Sequence, residues 1–138
     1  MKASTRQWLE FAQTDLRSCE NNLNDEFVTN VVAFHSQQAV EKAFKALIEE
    51  KGIRMSRIHN LTRLYALTES FLISTIDEIE LEMLDNVYTS SRYPGEIGLL
   101  STGKPTMKES KELYDIALKI YFIISQSIET GNNQNDNQ

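Results

Sequence analysis

Apolar residues recur at intervals of three and four along most of this chain, a spacing that predicts amphipathic helices. We expect five helices, at about residues 4–23, 26–51, 60–71, 76–90 and 106–129. The sequence has no strand-like alternation and no internal repeat. The predicted fold class is therefore all-α, an up-and-down bundle of four to five helices.

Several helix ends carry local signals. Gly52 is placed to end the second helix and Gly131 to end the fifth. Capping boxes, in which a hydroxyl residue and an acid three positions later satisfy each other's backbone amides, are expected at two helix starts. They are Ser74–Asp77 or Thr75–Glu78 before the fourth helix, and Thr106–Glu109 before the fifth.

The same spacing predicts which side chains point inward. The first helix is expected to bury Trp8, Phe11, Ala12, Leu16, Cys19 and Leu23, the third Leu61, Leu64, Leu67 and Phe71, and the fourth Ile76, Ile79, Met83, Leu84, Val87 and Tyr88. Cys19 is the only cysteine, which excludes an intrachain disulfide and favours a small core residue.

The second helix is apolar nearly all round, which is typical of a helix in the middle of a bundle. Its alanines at 39, 43 and 46 allow a neighbouring helix to approach closely. One narrow polar ridge interrupts the apolar surface, within about 80° of arc. The ridge consists of His35, Gln38, Lys42, Lys45 and Glu49. We expect this ridge to have an obligatory partner or a function.

The first helix offers such a partner in Asp15, which interrupts its apolar stripe. A carboxylate buried there without a counter-charge would cost several kcal/mol. We expect a cation to face it, Lys42 first, with Arg92 as the alternative. The pair could simply fix the register of the two helices, or it could shape a polar pocket beside Arg92.

The segment Arg92-Tyr93-Pro94 is expected to close the fourth helix, because a proline disfavours the helical conformation in the residue before it. A cation at this end complements the helix dipole. Alternatively, the Arg92 guanidinium is placed to bind a phosphate through two hydrogen bonds. Tyr93 would then support the same polar site.

Length and composition indicate one domain over residues 1–130, followed by a polar tail at 131–138 that we expect to be disordered. The N-terminus lacks the apolar stretch of a signal peptide, and no apolar run is long enough for a membrane span. We therefore expect a cytoplasmic protein without a membrane role. We also expect no metal and no cofactor, since two histidines and one cysteine far apart form no zinc pattern.

The net charge of −6 argues against binding of DNA through bulk charge. The charge is uneven, however. Residues 51–63 hold four Lys or Arg and no acid, whereas residues 77–85 hold five acids and no base. Two poles of opposite sign suit pairing with a partner or with a second copy, although two solvated faces would show the same pattern.

Three segments together resemble the HEPN domain family: residues 38–47, His59-Asn60-Leu61, and Ser91-Arg92-Tyr93-Pro94. The first helix, with Trp8-Leu9 leading to Asp15-Leu16, is similar as well, and the resemblance covers about residues 4–128. It implies a helical bundle that often forms a homodimer. It further implies association with a nucleotide or RNA, frequently beside a minimal nucleotidyltransferase. From the polar ridge we expect Lys42, Lys45 and Arg92 to bind the phosphate.

Ribonuclease members of that family carry an arginine followed, four to six residues later, by a histidine. No histidine follows Arg92 in this chain. The one literal match is Arg54-Met55-Ser56-Arg57-Ile58-His59, which lies before the third helix rather than late in the bundle. Three hypotheses therefore stand: a non-catalytic binding module, a toxin-like metal-independent ribonuclease that uses His59 and Arg54, and a purely structural adaptor.

Overall fold

The computed structural model describes residues 1–54, 57–92 and 104–136, without the side chains of residues 88–92 and 133–136. Five α-helices account for most of these residues, which confirms the all-α class. They are α1 (Ala3–Asn22), α2 (Thr29–Lys51), α3 (Leu61–Thr68), α4 (Glu78–Arg92) and α5 (Met107–Asp136), with single 3-10 turns at Glu26–Val28 and Glu69–Phe71. None of the described helices combines the length and the apolar character needed to cross a membrane.

The central helix of the bundle is α2, which packs against each of the other four. Thirteen of its residues are buried, including Phe44, Leu47 and Ile48, each of which is at most 1% exposed. Burial on all sides is what its near-continuous apolar surface predicts. α1 runs antiparallel to α2, because Lys2 contacts the end of α2 at Glu50 while Asp15 contacts His35 near its beginning.

The predicted end of α2 is confirmed at Gly52. This residue adopts a left-handed conformation with φ of 65°, and its N–H donates to the carbonyl of Glu49 at 3.2 Å. The next amide, of Ile53, donates to the carbonyl of Ile48 at 3.1 Å. Together these bonds satisfy carbonyls that the helix itself leaves unpaired.

The two predicted capping boxes have different outcomes. Thr106 and Glu109 form theirs, because each side chain accepts a hydrogen bond from the other residue's amide, at 2.9 and 3.0 Å. The box expected from Ser74 or Thr75 is wrong. α4 begins at Glu78, and Asp77 caps it by accepting from the amide of Ile79 at 2.9 Å. The Asp77 carboxylate thus caps the first turn directly, without the reciprocal bond of a capping box.

The predicted inward faces of α1, α3 and α4 are partly wrong. Phe11 and Ile79 are 57% and 67% exposed, and Leu67 and Phe71 are each 40% exposed. The buried positions are instead Leu9 in α1, Tyr65 and Thr68 in α3, and Leu81 in α4. Each helix had more apolar residues than one face can hold, and packing against α2 selected a face rotated from the expected one.

The fifth helix is longer than predicted. Gly131 was expected to end it, but α5 continues through Asp136. Asn132 approaches Glu50 closely enough to hydrogen bond with it. A single glycine lowers helix stability without forbidding the helix, so Gly131 is a weaker stop than Gly52. The expected disorder of the polar tail stays a prediction.

Candidate functional site

The polar ridge of α2 faces one edge of α1, and the two meet turn by turn. Ser4 Oγ donates to Glu49 Oε1 at 2.8 Å, and Lys45 Nζ lies 5.4 Å from the centre of the Trp8 ring. Further along, Asp15 contacts Lys42 and His35. We call this surface the α1–α2 seam. It comprises Ser4, Trp8, Phe11 and Asp15 of α1, and His35, Gln38, Lys42, Lys45 and Glu49 of α2.

The centre of the seam is the carboxylate of Asp15, whose side chain is 6% exposed. Oδ2 accepts a hydrogen bond from Lys42 Nζ at 2.8 Å, and Oδ1 lies 2.7 Å from His35 Nδ1. The expected pairing of Asp15 with Lys42 is therefore present. Because both oxygens are bonded, the cost of burying the charge is offset. His35 is a second partner that was predicted only as a member of the ridge.

The contact with Asp15 selects the tautomer of the His35 ring. A carboxylate oxygen accepts, so Nδ1 carries the hydrogen and donates the hydrogen bond to Oδ1. In the neutral ring Nε2 is then an acceptor. The side chain is 29% exposed, and its ring packs edge-on against Phe34 at a centroid distance of 5.1 Å. His35 is thus held in one orientation at the rim of the seam.

Lys45 is held by a second buried carboxylate, Glu41. Its Nζ lies 3.1 Å from Glu41 Oε2 and above the Trp8 ring. The same carboxylate lies 3.5 Å from Nδ1 of His59, whose side chain is 68% exposed. Two buried acids of the site, Asp15 and Glu41, therefore each hold one lysine and one histidine.

The sequence analysis missed Glu41 and Gln37, although it placed Gln38 on the polar ridge. Gln37 Nε2 donates to Asp85 Oδ1 at 3.3 Å, and Gln38 Nε2 donates to Gln37 Oε1 at 2.7 Å. Gln37 is 1% and Glu41 is 6% exposed. A polar side chain inside an otherwise apolar helix was the available signal, but it could not be read without knowing that α3 and α4 cover that face of α2.

Asp85 links this group to the start of α3, because its Oδ2 accepts from the amide of Leu61 at 2.9 Å. Burial raises the pKa of the Asp85 carboxyl above its ordinary value. The bonds from Leu61 and Gln37 oppose that rise, and the nearby charge of Glu41 adds to it. Asp85 therefore protonates more readily than an exposed aspartate does.

The remaining predicted site residues do not join the seam in the part of the chain that is described. Arg54 is exposed in the segment after α2. Tyr93 and the side chain of Arg92 lie outside the described residues, so their roles stay predictions. Cys19 is fully buried, as expected. Burial raises the pKa of its thiol to about 11, although a hydrogen bond with Ser36 opposes the rise.

These features define the class of protein. It is an all-α bundle built around one central helix, with lysines held by buried acids along one seam. The HEPN domain family matches residues 5–127, and the chain belongs to this family. No match is found among curated proteins.

Two solved structures are similar over almost their whole length. TT1696 from Thermus thermophilus is 27% identical, with a TM-score of 0.76 over 91% of this chain and 99% of its own. ST0689, an archaeal HEPN homologue, is 26% identical, with a TM-score of 0.68 over 93% of this chain and 99% of its own.

Proposed function

We propose that this HEPN protein is a binding module for a nucleotide or an RNA, that it acts as a homodimer, and that it works with a minimal nucleotidyltransferase as its partner. The observation that carries the proposal is the α1–α2 seam. It presents two lysines, Lys42 and Lys45, whose side chains are 24% and 13% exposed. Arg92 would add a third cation.

The pairing of these lysines is compatible with anion binding. An ammonium group has three donors, and Asp15 takes one donor of Lys42. The same holds for Lys45 with Glu41. A phosphate can accept from the donors that remain, while the carboxylates keep each side chain in place. Such prior ordering lowers the entropy lost on binding.

A homodimer agrees with two features. Members of the HEPN family are commonly dimeric. The basic segment, residues 51–63, and the acidic segment, residues 77–85, give one molecule two poles that a second copy can match. Sedimentation equilibrium at low and high salt tests this, because a dimer held by opposite charges dissociates more readily in salt.

The direct test of binding is isothermal titration calorimetry with nucleotides and 5′-phosphorylated RNA oligomers, run on the wild type, Lys42→Gln and Arg92→Ala. We expect either substitution to weaken binding. The matched control is Lys119→Gln, since Lys119 is also paired with a single acid, Glu80, at 2.6 Å, but belongs to α5 and not to the seam. If no nucleotide or RNA binds the wild type, the structural-adaptor hypothesis replaces this one.

A metal-independent ribonuclease is the second candidate, because His59 is exposed with Nδ1 directed at a buried acid. Glu41 would orient the imidazole so that Nε2 could remove the proton from a ribose 2′-hydroxyl. Arg54 would bind the phosphate. Cleavage of RNA by the wild type that disappears in His59→Ala and Arg54→Ala would favour this function, and a toxic effect on expression would accompany it. Cleavage that survives His59→Ala would exclude the pair.

A further inference from the structure

The α1–α2 seam carries an aromatic side chain that the core does not use. Phe11 is 57% exposed, although the pattern of α1 predicted it to be buried. Trp8, one turn earlier, is only partly buried and packs against the core. Single exposed apolar side chains are ordinary, whereas contiguous apolar patches rimmed by polar residues mark binding surfaces. Phe11 and Trp8, one turn apart on α1, form such a patch beside the polar residues of the seam.

From the register of the two helices we infer that Phe11 lies at the axial level of Lys42. α1 and α2 are antiparallel, and the step from Ser4 to Trp8 on α1 matches the step from Glu49 back to Lys45 on α2. The next turn of α1 brings Phe11 to the level of Lys42. Asp15, one turn further, takes up the ammonium of Lys42. Phe11 thus lies along α1 between Trp8, which contacts Lys45, and Asp15, which binds Lys42.

A concavity lies on the outer side of these rings. It has a volume of about 190 Å³ and is lined by Ser4, Gln7, Trp8 and Phe11. Two aromatic walls, with an amide and a hydroxyl beside them, can stack on a flat heterocycle and hydrogen bond to its edge. Lys45 lies beside Trp8 on the side of α2.

We propose that Trp8 and Phe11 form a stacking platform for an unpaired nucleobase, with the phosphate of the same nucleotide on Lys42. The ligand is a nucleoside phosphate, either free or at the end of a single-stranded RNA. This inference rests on the proposed nucleotide- or RNA-binding function and specifies its binding site. Aromatic rings beside cations are the recurring composition of single-strand binding surfaces.

Other exposed aromatic or concave sites lack this combination. Phe27 lies 4.6 Å from the ammonium of Lys104, and Phe71 lies 5.3 Å from that of Lys51, but each is one aromatic side chain beside one lysine. A second concavity of about 350 Å³ lies between α4 and α5, and its lysine, Lys119, is bound by both oxygens of Glu80 at 2.6 and 2.9 Å. The seam combines two aromatic side chains one turn apart, a concavity beside them and two lysines on the neighbouring helix.

Trp8 is the only tryptophan of the chain, so its fluorescence reports on this site alone. The full-length protein is titrated with AMP, with ribose 5-phosphate, which lacks a base, and with a 5′-phosphorylated hexa-adenylate. Calorimetry with the same three probes measures binding wherever it occurs. The variants are Phe11→Ala, Phe11→Tyr, which keeps the ring, and Phe122→Ala as the control. Phe122 is 54% exposed on α5, which matches Phe11 in exposure.

We expect AMP or the hexanucleotide to quench the fluorescence of Trp8, and ribose 5-phosphate to bind more weakly than AMP. Phe11→Ala should weaken binding about 5- to 150-fold, the range for loss of one stacked base. Phe11→Tyr and Phe122→Ala should bind as the wild type does. Binding of the hexanucleotide much tighter than that of AMP would identify RNA as the source of the ligand, and equal affinities would identify a free nucleotide.

Two results would overturn the proposal, and they differ in what else they exclude. In the first, calorimetry shows binding that is unchanged in Phe11→Ala, and the fluorescence of Trp8 does not change. The base then binds elsewhere, and the proposed nucleotide-binding function still holds. If calorimetry shows no binding of AMP or the hexanucleotide to the wild type, the stacking platform and the proposed function fail together.

Discussion

Lys42 and Asp15 lie 27 positions apart in the sequence and join through a 2.8 Å contact between Nζ and Oδ2. The carboxylate is 6% exposed, whereas the lysine side chain is 24% exposed. The pair therefore has a buried acid on its inner side and a cation that reaches solvent on its outer side. Lys42 therefore has two roles, since it stabilises the fold by pairing with Asp15 and supplies the proposed phosphate contact.

Lys42→Ala should destabilise the protein by about 1.5–3 kcal/mol, because it leaves Asp15 charged and buried with His35 as its remaining partner in the seam. Urea unfolding followed by circular dichroism measures this loss. Lys119→Ala is the control, since its ion pair with Glu80 is solvent-exposed on the lysine side and should be worth less than about 1 kcal/mol.

Adding Asp15→Asn to Lys42→Ala separates the charge effect from packing. If the cost of Lys42→Ala comes from an uncompensated charge, the double variant should be more stable than the sum of the two single losses predicts, by about 0.5–3 kcal/mol. Strictly additive losses would show that the pair does not couple and that the cost of losing Lys42 has another origin.

We expect the carboxyl of Glu50 to make the free energy of unfolding depend on pH. Burial would raise the pKa of its carboxyl. The amide of Lys2, the hydroxyl of Thr5 and the N-terminal amine outweigh that effect, so the pKa is lower in the folded protein than the ordinary value of 4.5. A carboxyl whose pKa is lower in the folded protein stabilises the native state at pH values above its pKa in the unfolded chain. That stabilisation is lost as the pH falls below about 4.5 and through the folded pKa.

Urea unfolding at a series of pH values between about 3 and 7 should therefore show a fall in stability on the acid side. The fall should be shallower in Glu50→Gln, which has no carboxyl to titrate, than in the wild type. Glu112→Gln, at an exposed position on α5, should leave the acid-side slope unchanged. Equal slopes in the wild type and Glu50→Gln would show that the contacts of Glu50 do not persist in solution.

Cys19 should be inert to thiol reagents in the folded protein. Its Sγ is fully buried, where it donates to the carbonyl of Val32 at 3.4 Å, and its pKa of about 11 leaves little thiolate near neutral pH. We expect negligible labelling by Ellman's reagent at pH 8 and one equivalent per chain in guanidinium. Rapid labelling under native conditions would mean that α1 separates from α2 readily.

The sequence predicted the parts of the site that depend on a single strong physical demand. A carboxylate within an apolar stripe requires a cation, and Lys42 lay on the one polar side of the adjacent helix, so the pair could be inferred. Glu41 could not, since its partner His59 comes from a segment without regular periodicity that packs back onto α2. Its burial depends on tertiary structure that no local pattern encodes.

The apolar periodicity also could not predict how the outer helices are rotated about their own axes. In α4, Ile79 and Leu81 lie on nearly opposite sides, and both are apolar enough to face a core. The structure buries Leu81 completely and leaves Ile79 67% exposed. In α1 the same ambiguity left Phe11 exposed. Periodicity identifies a helix well, but it fixes the rotation of a helix poorly when two overlapping faces are apolar.

The two glycines that the sequence placed at helix ends provide a last prediction, because the same substitution should have opposite effects at the two positions. Gly52 has a φ of +65°, so Gly52→Ala forces a side chain into the left-handed region although space is available around it. We expect a loss of about 1 kcal/mol. Gly131 lies within α5, where alanine favours the helix, and Gly131→Ala should gain up to about 1 kcal/mol.

The one close neighbour of a Cβ at 131 is Lys51 Nζ at 3.0 Å, the mobile end of a long side chain that can move aside. Thermal and urea unfolding of the two variants beside the wild type measures both effects, and each variant serves as the control for the other. A loss at both positions would mean that Gly131 ends α5, as its sequence signal suggested, and that the helix does not extend to Asp136 in solution.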